Sequence, residues 1–167
     1  MIVPLGLLML YSQRNRGPMD DPDQAFQRPG FLSDAVGAVV ATPLPELAIA
    51  APAMPAPGAR SLLVFVRANV PQTRMVLDDL NRGVVAEQMA SIVVISSAPL
   101  GETTKAPAIA DPDSRVARAY GMRRPADGGY PLGYAIVDTR QRVRYATLDP
   151  ALADHWDEVE TMLRATP

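Results

Sequence analysis

Few side chains in this sequence have the types and spacing for covalent or acid–base chemistry. Thr73 comes first. It closes the turn Val70-Pro71-Gln72-Thr73, which follows the apolar run Leu62 to Val66 and opens a helix at Pro71. A strand, a short turn and a helix in that order present a nucleophile at a helix N-terminus, where free amides and the helix dipole favour negative charge. A threonine hydroxyl needs an adjacent base to react at neutral pH. The one histidine, His155, stands between Asp154 and Trp156-Asp157 at the start of the last predicted helix, and reads as a surface residue. Thr73 is therefore expected to satisfy backbone amides at a helix start, and no catalytic residue is expected. Cysteine is absent from the whole sequence, which excludes thiol peroxidase, disulfide-exchange, iron–sulfur and thiolate–metal chemistry in this polypeptide. It says little about compartment.

Other chemistries find no better footing. One histidine, no cysteine and scattered methionines do not make a metal shell, and Asp111 and Asp113 read as helix-capping residues rather than cation ligands. With no glycine-rich phosphate loop and no paired-carboxylate signature, neither a metal nor a cofactor is expected. Asp78-Asp79 read as solvated on a helix face, and Asp127-Gly128-Gly129 as a turn without function. Sixteen basic and 18 acidic residues give a net charge of −2 without a long single-sign block, so a nucleic-acid partner is not expected. Arg123-Arg124 and Arg140, Arg142 and Arg144 are local basic concentrations. They read as solvated loop and hairpin positions, with an acidic partner surface or lipid headgroups as the alternative.

Around these residues the sequence from Ala59 onward reads strand, helix, strand, helix, strand, strand, helix. Leu62–Val66 and Ile92–Ile95 are apolar runs expected for strands buried on both faces. Met75, Val76, Leu80 and Val84 recur at helical spacing opposite Asp78, Asp79 and Arg82, and Gly83 ends the helix. Asp111 to Gly121 predicts a helix with an aspartate cap, a proline in its first turn and a terminating glycine. Tyr134–Asp138 and Val143–Thr147 predict a hairpin, and Ala153–Ala165 a helix with Trp156, Val159 and Leu163 on one face.

This order, with its local pieces, resembles the thioredoxin-like and peroxiredoxin-like superfamily over roughly residues 43 to 165. Those families read C-x-x-C or T-x-x-C where this sequence has Val70-Pro71-Gln72-Thr73. Asp111-Pro112-Asp113 with the Tyr120-Gly121 exit, and Tyr134-Ala135-Ile136-Val137-Asp138 with its valine-containing return strand, look like the matching peroxiredoxin segments. The resemblance implies an α/β thioredoxin-like fold, a central mixed sheet flanked by helices, in a degenerate member whose redox positions are Val70 and Thr73. Pro131, after Tyr130, is the candidate for the family's cis-proline, and the activating arginine of peroxiredoxins has no equivalent.

Residues 1–57 differ in texture. They carry 9 of the 17 prolines, too many for regular helices or an interior strand, and are expected to form an apolar segment and extended arm before a domain at 58–167. Within the arm, residues 31–40 read as a short helix or turn, 43–50 as a peripheral strand and 54–58 as a linker. Residues 2–11, IVPLGLLMLY, are an unbroken apolar run. As a helix it would rise roughly 15 Å, about half a bilayer's hydrocarbon thickness. Four readings stand open: the end of an anchor that starts upstream, a half-embedded docking peptide, a segment buried in another subunit, or a frayed or self-packed soluble N-terminus.

Taken together, these features lead to the expectation of a non-catalytic accessory subunit of a larger, membrane-associated protein complex, its membrane side left open. The alternatives are a redoxin that acts through a partner's cysteines and a soluble orphan binding domain. Its partners would be protein subunits, integral membrane proteins among them, with membrane contact through residues 1–11. The expected partner-binding residues are Ile2, Leu5, Leu7, Leu8, Leu10, Tyr11 and Phe31 in the arm, and Val70, Pro71, Tyr130 and Pro131 at the former redox edge.

Overall fold

A computed structural model of the chain describes residues 58–166, apart from 87 and 102. The arm, with Ile2, Leu5, Leu7, Leu8, Leu10, Tyr11 and Phe31, lies outside the described residues. In chain order the elements are β1 (Ser61–Val66), α1 (Pro71–Arg82), β2 (Ser91–Ser96), β3 (Ala108–Ala110), α2 (Arg115–Ala119), β4 (Gly133–Val137), β5 (Val143–Leu148), a 3-10 turn (Leu152–Asp154) and α3 (Trp156–Ala165). The five strands form one sheet in the order β3-β2-β1-β4-β5. β1 runs parallel to β2 and antiparallel to β4.

Alternation along β1 sends its side chains into two cores. Leu62, Val64 and Val66 pack with Val76, Leu77 and Leu80 of α1 and with Trp156, Val159, Met162 and Leu163 of α3. Leu63 and Phe65 pack on the other face with Val116 and Ala117 of α2, Tyr120, Met122 and Tyr130. The expected mixed sheet flanked by helices is the one observed. α1 opens on Pro71 and closes on Gly83, whose left-handed φ of 78° is where glycine carries no Cβ penalty.

Several details differ from the sequence reading. β3 was not foreseen: three residues, Ala108-Ile109-Ala110, with only Ile109 buried, are too short to show a period. The predicted 111–121 helix shrinks to Arg115–Ala119, because Ser114 takes a left-handed φ of 54° that breaks the helical run after Pro112 and Asp113. Met75 points outward at 51 % exposure, while Thr73, Val76, Leu77 and Leu80 make the buried face of α1. Asp79 is packed rather than solvated: it accepts the Trp156 indole N–H at 2.9 Å and pairs with Arg82. Arg144 is buried, and Arg142 donates to the buried Asp138 at 3.1 Å. Both arginines thus leave the solvated class.

Gly133 begins β4 with a φ of 152°, and a Cβ there would sit 2.0 Å from the Thr147 carbonyl oxygen of β5. Gly83 faces open space. Gly133→Ala should therefore cost more than about 3 kcal/mol, whereas Gly83→Ala should cost about 1 kcal/mol from backbone conformation alone. Urea denaturation of the two variants checks the contrast.

Candidate functional site

The carboxyl end of β1 is where the sequence places its vacant redox turn. Arg67 follows the strand. Its carbonyl accepts the Thr73 hydroxyl at 2.6 Å, and the Thr73 amide donates to the Val70 carbonyl at 3.1 Å. Val70 is the extended residue before α1 and has no side chain able to cap it. Thr73 is thus buried at 4 % exposure with its hydroxyl proton committed to a carbonyl. The expectation that it would satisfy helix-start amides is corrected: the hydroxyl donates backward to the strand exit. In place of a cap, α1 relies on Pro71, which has no amide to satisfy.

Arg67 also organises the opposite side of this end. Its guanidinium forks onto the Asp127 carboxylate at 2.6 and 2.9 Å, and its Nε donates to the Tyr130 carbonyl at 2.6 Å. A bidentate pair of this kind fixes direction as well as distance. Arg67 and the Gly129 amide, which donates at 2.8 Å, hold the exposed Asp127 carboxyl below its ordinary value. A Cβ at Gly129 would lie 2.8 Å from the guanidinium, so a side chain there would displace Arg67 from this fork. The Asp127-Gly128-Gly129 turn, read from the sequence as functionless, is the clamp for Arg67.

From the same loop, the Tyr130 hydroxyl donates to Asp111 at 3.0 Å. Asp111 also accepts the Val116 and Ala117 amides at 3.1 and 3.0 Å, so it ties down the first turn of α2 from outside the helix, while the N-cap position expected for it is held by Ser114. Burial, and secondarily the Asp111 charge, push the Tyr130 phenol far above its ordinary range. It stays a neutral donor.

Two clefts flank this scaffold. One, about 720 Å³, is lined by Val70, Pro71, Arg74, Met75, Leu77 and Leu100, with Thr73 behind them. The other, about 590 Å³, is lined by Tyr130 and Pro131, the Arg118, Arg123 and Arg124 side chains, and Met122. The structure therefore places Val70 and Pro71 in one cleft, and Tyr130 and Pro131, both buried, in the other. Met75, Leu100, Arg67 and Asp127 escaped the sequence reading of the site. An apolar residue on the charged side of α1 is the signal that could have marked Met75. Nothing local links Arg67 with Asp127, 60 residues away.

His155 lies apart from both clefts and is not the surface residue expected. Its Nδ1 stands 3.1 Å from both oxygens of the buried Asp149, the residue that follows β5. Among the described residues no three His, Cys, Asp or Glu side chains are placed to hold a metal ion.

Two predictions arise from these contacts. Tyr130→Phe should lose about 1 kcal/mol, and Asp111→Ala roughly 2 to 3 kcal/mol, because the second strands two helix amides and a phenol; urea midpoints check the order. The Asp149 carboxyl is raised by burial, against the lowering effect of His155. Between its ordinary 3.8 and the raised folded value, the folded chain keeps a proton that the unfolded chain releases. This contribution is full below 3.8 and is lost as pH rises through the folded value, so Asp149→Asn should gain on the native chain with rising pH in parallel urea titrations.

No family model matches the chain, and no curated protein matches it. Solved structures do. The bacterioferritin comigratory protein of Xanthomonas campestris, described for its alkyl peroxide reduction activity, superposes with a TM-score of 0.51 at 17 % identity, over 65 % of this chain and 80 % of that one. A serine-for-cysteine mutant of PrxQ from Xylella fastidiosa gives 0.52 at 14 % identity, over 65 % and 78 %. The order of strands and helices around the Arg67–Thr73 turn is thus that of a known architecture: the chain has the thioredoxin-like fold of these peroxiredoxins, built from a sequence without cysteine.

Proposed function

We propose that this chain is a non-catalytic binding module of redoxin ancestry, serving as an accessory subunit of a larger, membrane-associated protein assembly. The observation that carries the reading is Thr73. At the position where the related families set a thiol, a buried hydroxyl donates to the Arg67 carbonyl, in a sequence without cysteine. What this end of the fold offers instead is surface. Val70, Pro71, Leu77 and Leu100 line an open cleft beside Met75, a large apolar side chain that stands half exposed, and a concave face of this kind accepts an anchoring side chain of a protein partner. The apolar run at 2–11 and the proline-rich arm supply the motive for a membrane-associated assembly, since an arm with little core of its own gains order by lying on a partner. Among the described residues no helix is long and apolar enough to cross a membrane.

The test is affinity purification of the tagged full chain from its own cells in mild detergent, with Val70→Asp and Met75→Asp variants beside it. Recovery of a defined membrane complex, reduced about tenfold or more by either charge, is expected; tenfold corresponds to about 1.4 kcal/mol. Unchanged recovery with both variants would remove this cleft as a docking face. Recovery of the native chain alone in the soluble fraction would overturn the subunit reading, and peroxide or disulfide turnover by the purified chain would overturn the non-catalytic one.

A further inference from the structure

The second cleft has a different chemistry. Among the described residues that line it are Arg118, Arg123 and Arg124 and one acidic side chain, Asp113, in a molecule whose net charge is −2; Arg123 is engaged elsewhere, which leaves Arg118 and Arg124 to the cleft. The nearby carboxylates are already engaged. Asp127 is held by the Arg67 fork, and Asp111 by two helix amides and the Tyr130 hydroxyl. Neither carboxylate is therefore left to pair with Arg118 or Arg124.

Two of the arginines are also positioned. Arg118 donates one N–H to the Asp113 carbonyl at 2.8 Å, and Arg124 places Nε and Nη2 on the Gly128 carbonyl at 3.3 and 3.1 Å. A guanidinium has further donors in its planar fork, so these anchors hold each group without exhausting it. They lie on separate segments, one on α2 and one on the loop before β4, and all three arginines are exposed. Guanidiniums carried on two segments that line one cleft suit carboxylates spaced along a peptide, each meeting its own planar fork. Beneath them Ala117, Met122 and Pro131 are buried and offer apolar contact.

We propose that this cleft is a docking site for an acidic peptide segment of a partner protein, its carboxylates on Arg118 and Arg124 and an intervening apolar side chain against Met122. The idea rests on the binding-module reading for its place in the cell. Its test does not, because it uses the purified full chain alone, whereas the Val70 and Met75 variants report on the other cleft.

The probe is a fluorescein-labelled (Glu-Leu)3 peptide followed by fluorescence anisotropy, with (Gln-Leu)3 as the neutral counterpart. It is applied to the full chain and to a variant with Asp20, Asp21 and Asp23 changed to Asn, so that the chain's own acidic run cannot mask the cleft. Saturable binding of the Glu peptide is expected, at least tenfold tighter than the Gln peptide, weakening as salt is raised and at least tenfold weaker in Arg118→Gln/Arg124→Gln. Equal binding of the two peptides, which needs no variant to fold, would overturn the proposal. So would an unchanged affinity in the double variant, no binding in either full-length form, or displacement of the peptide by equimolar inorganic phosphate, which would mark a small-anion site.

Discussion

All six residues of β1 are buried to within 1 % of full enclosure, and that single constraint dictates most of the domain. A strand with no solvent on either face must have its amides and carbonyls paired along both edges and its side chains covered on both sides. β2 and β4 supply the edges, one parallel and one antiparallel. A parallel neighbour cannot be reached by a tight turn, so α1 becomes the crossover, and it covers the face bearing Leu62, Val64 and Val66. The other face is closed by α2 together with Tyr120, Met122 and Tyr130. The loop containing Tyr130 is therefore part of the core lid as well as a cleft wall.

The same constraint explains Arg67. Where β1 leaves the core, its backbone must turn sharply into α1, and the strand-exit carbonyl would lose its partner beside a half-buried loop. Thr73 supplies that partner from below, while the Ala68 amide donates to the Ser97 hydroxyl at 3.0 Å. The Arg67 side chain then ties the exit to the loop of residues 127–130, 60 positions later. The ion pair lies near solvent and would contribute little by charge alone. Its value lies in geometry: two parallel bonds and a third to a backbone carbonyl leave the loop one orientation, in which the Tyr130 hydroxyl meets Asp111 before α2.

The legibility of the sequence follows the range of the forces involved. Buried strands declare themselves through unbroken apolar runs, Leu62–Val66 and Ile92–Ile95, and Pro71 and Gly83 bracket α1 through local backbone rules, so these were readable. Met75 was misplaced because its neighbours Val76 and Leu77 both turn inward. An apolar residue next to the core face is indistinguishable by spacing from one upon it. Asp79 and Arg144 were read as solvated because charge predicts exposure until a specific partner is known, and the partner of Asp79, Trp156, is 77 residues away. β3 failed for want of length. The candidate site was half visible: Val70, Pro71 and Thr73 stand in a contiguous motif, whereas Arg67, Asp127 and the arginine-lined cleft exist only once the fold brings distant loops together.

Both clefts sit at one end of the sheet for a topological reason. β1, β2 and β3 are mutually parallel, and the segments leaving their carboxyl ends, at Asn69–Met75, Ser97–Leu100 and Pro112–Arg118, line the two cavities. In open parallel sheets, ligand crevices form at that end because successive crossovers diverge to opposite faces and leave a gap between them. Such a gap does not depend on the side chains at its edge, since the connections create it. The groups beside it are committed to the backbone and to each other: the Thr73 hydroxyl donates to the Arg67 carbonyl, and the Arg67 guanidinium forks onto Asp127. The fold thereby keeps two concave surfaces at one end of the sheet, one lined by Val70, Pro71 and Arg74 and the other by Arg118, Arg124 and Tyr130, whatever the side chains at the turn between them.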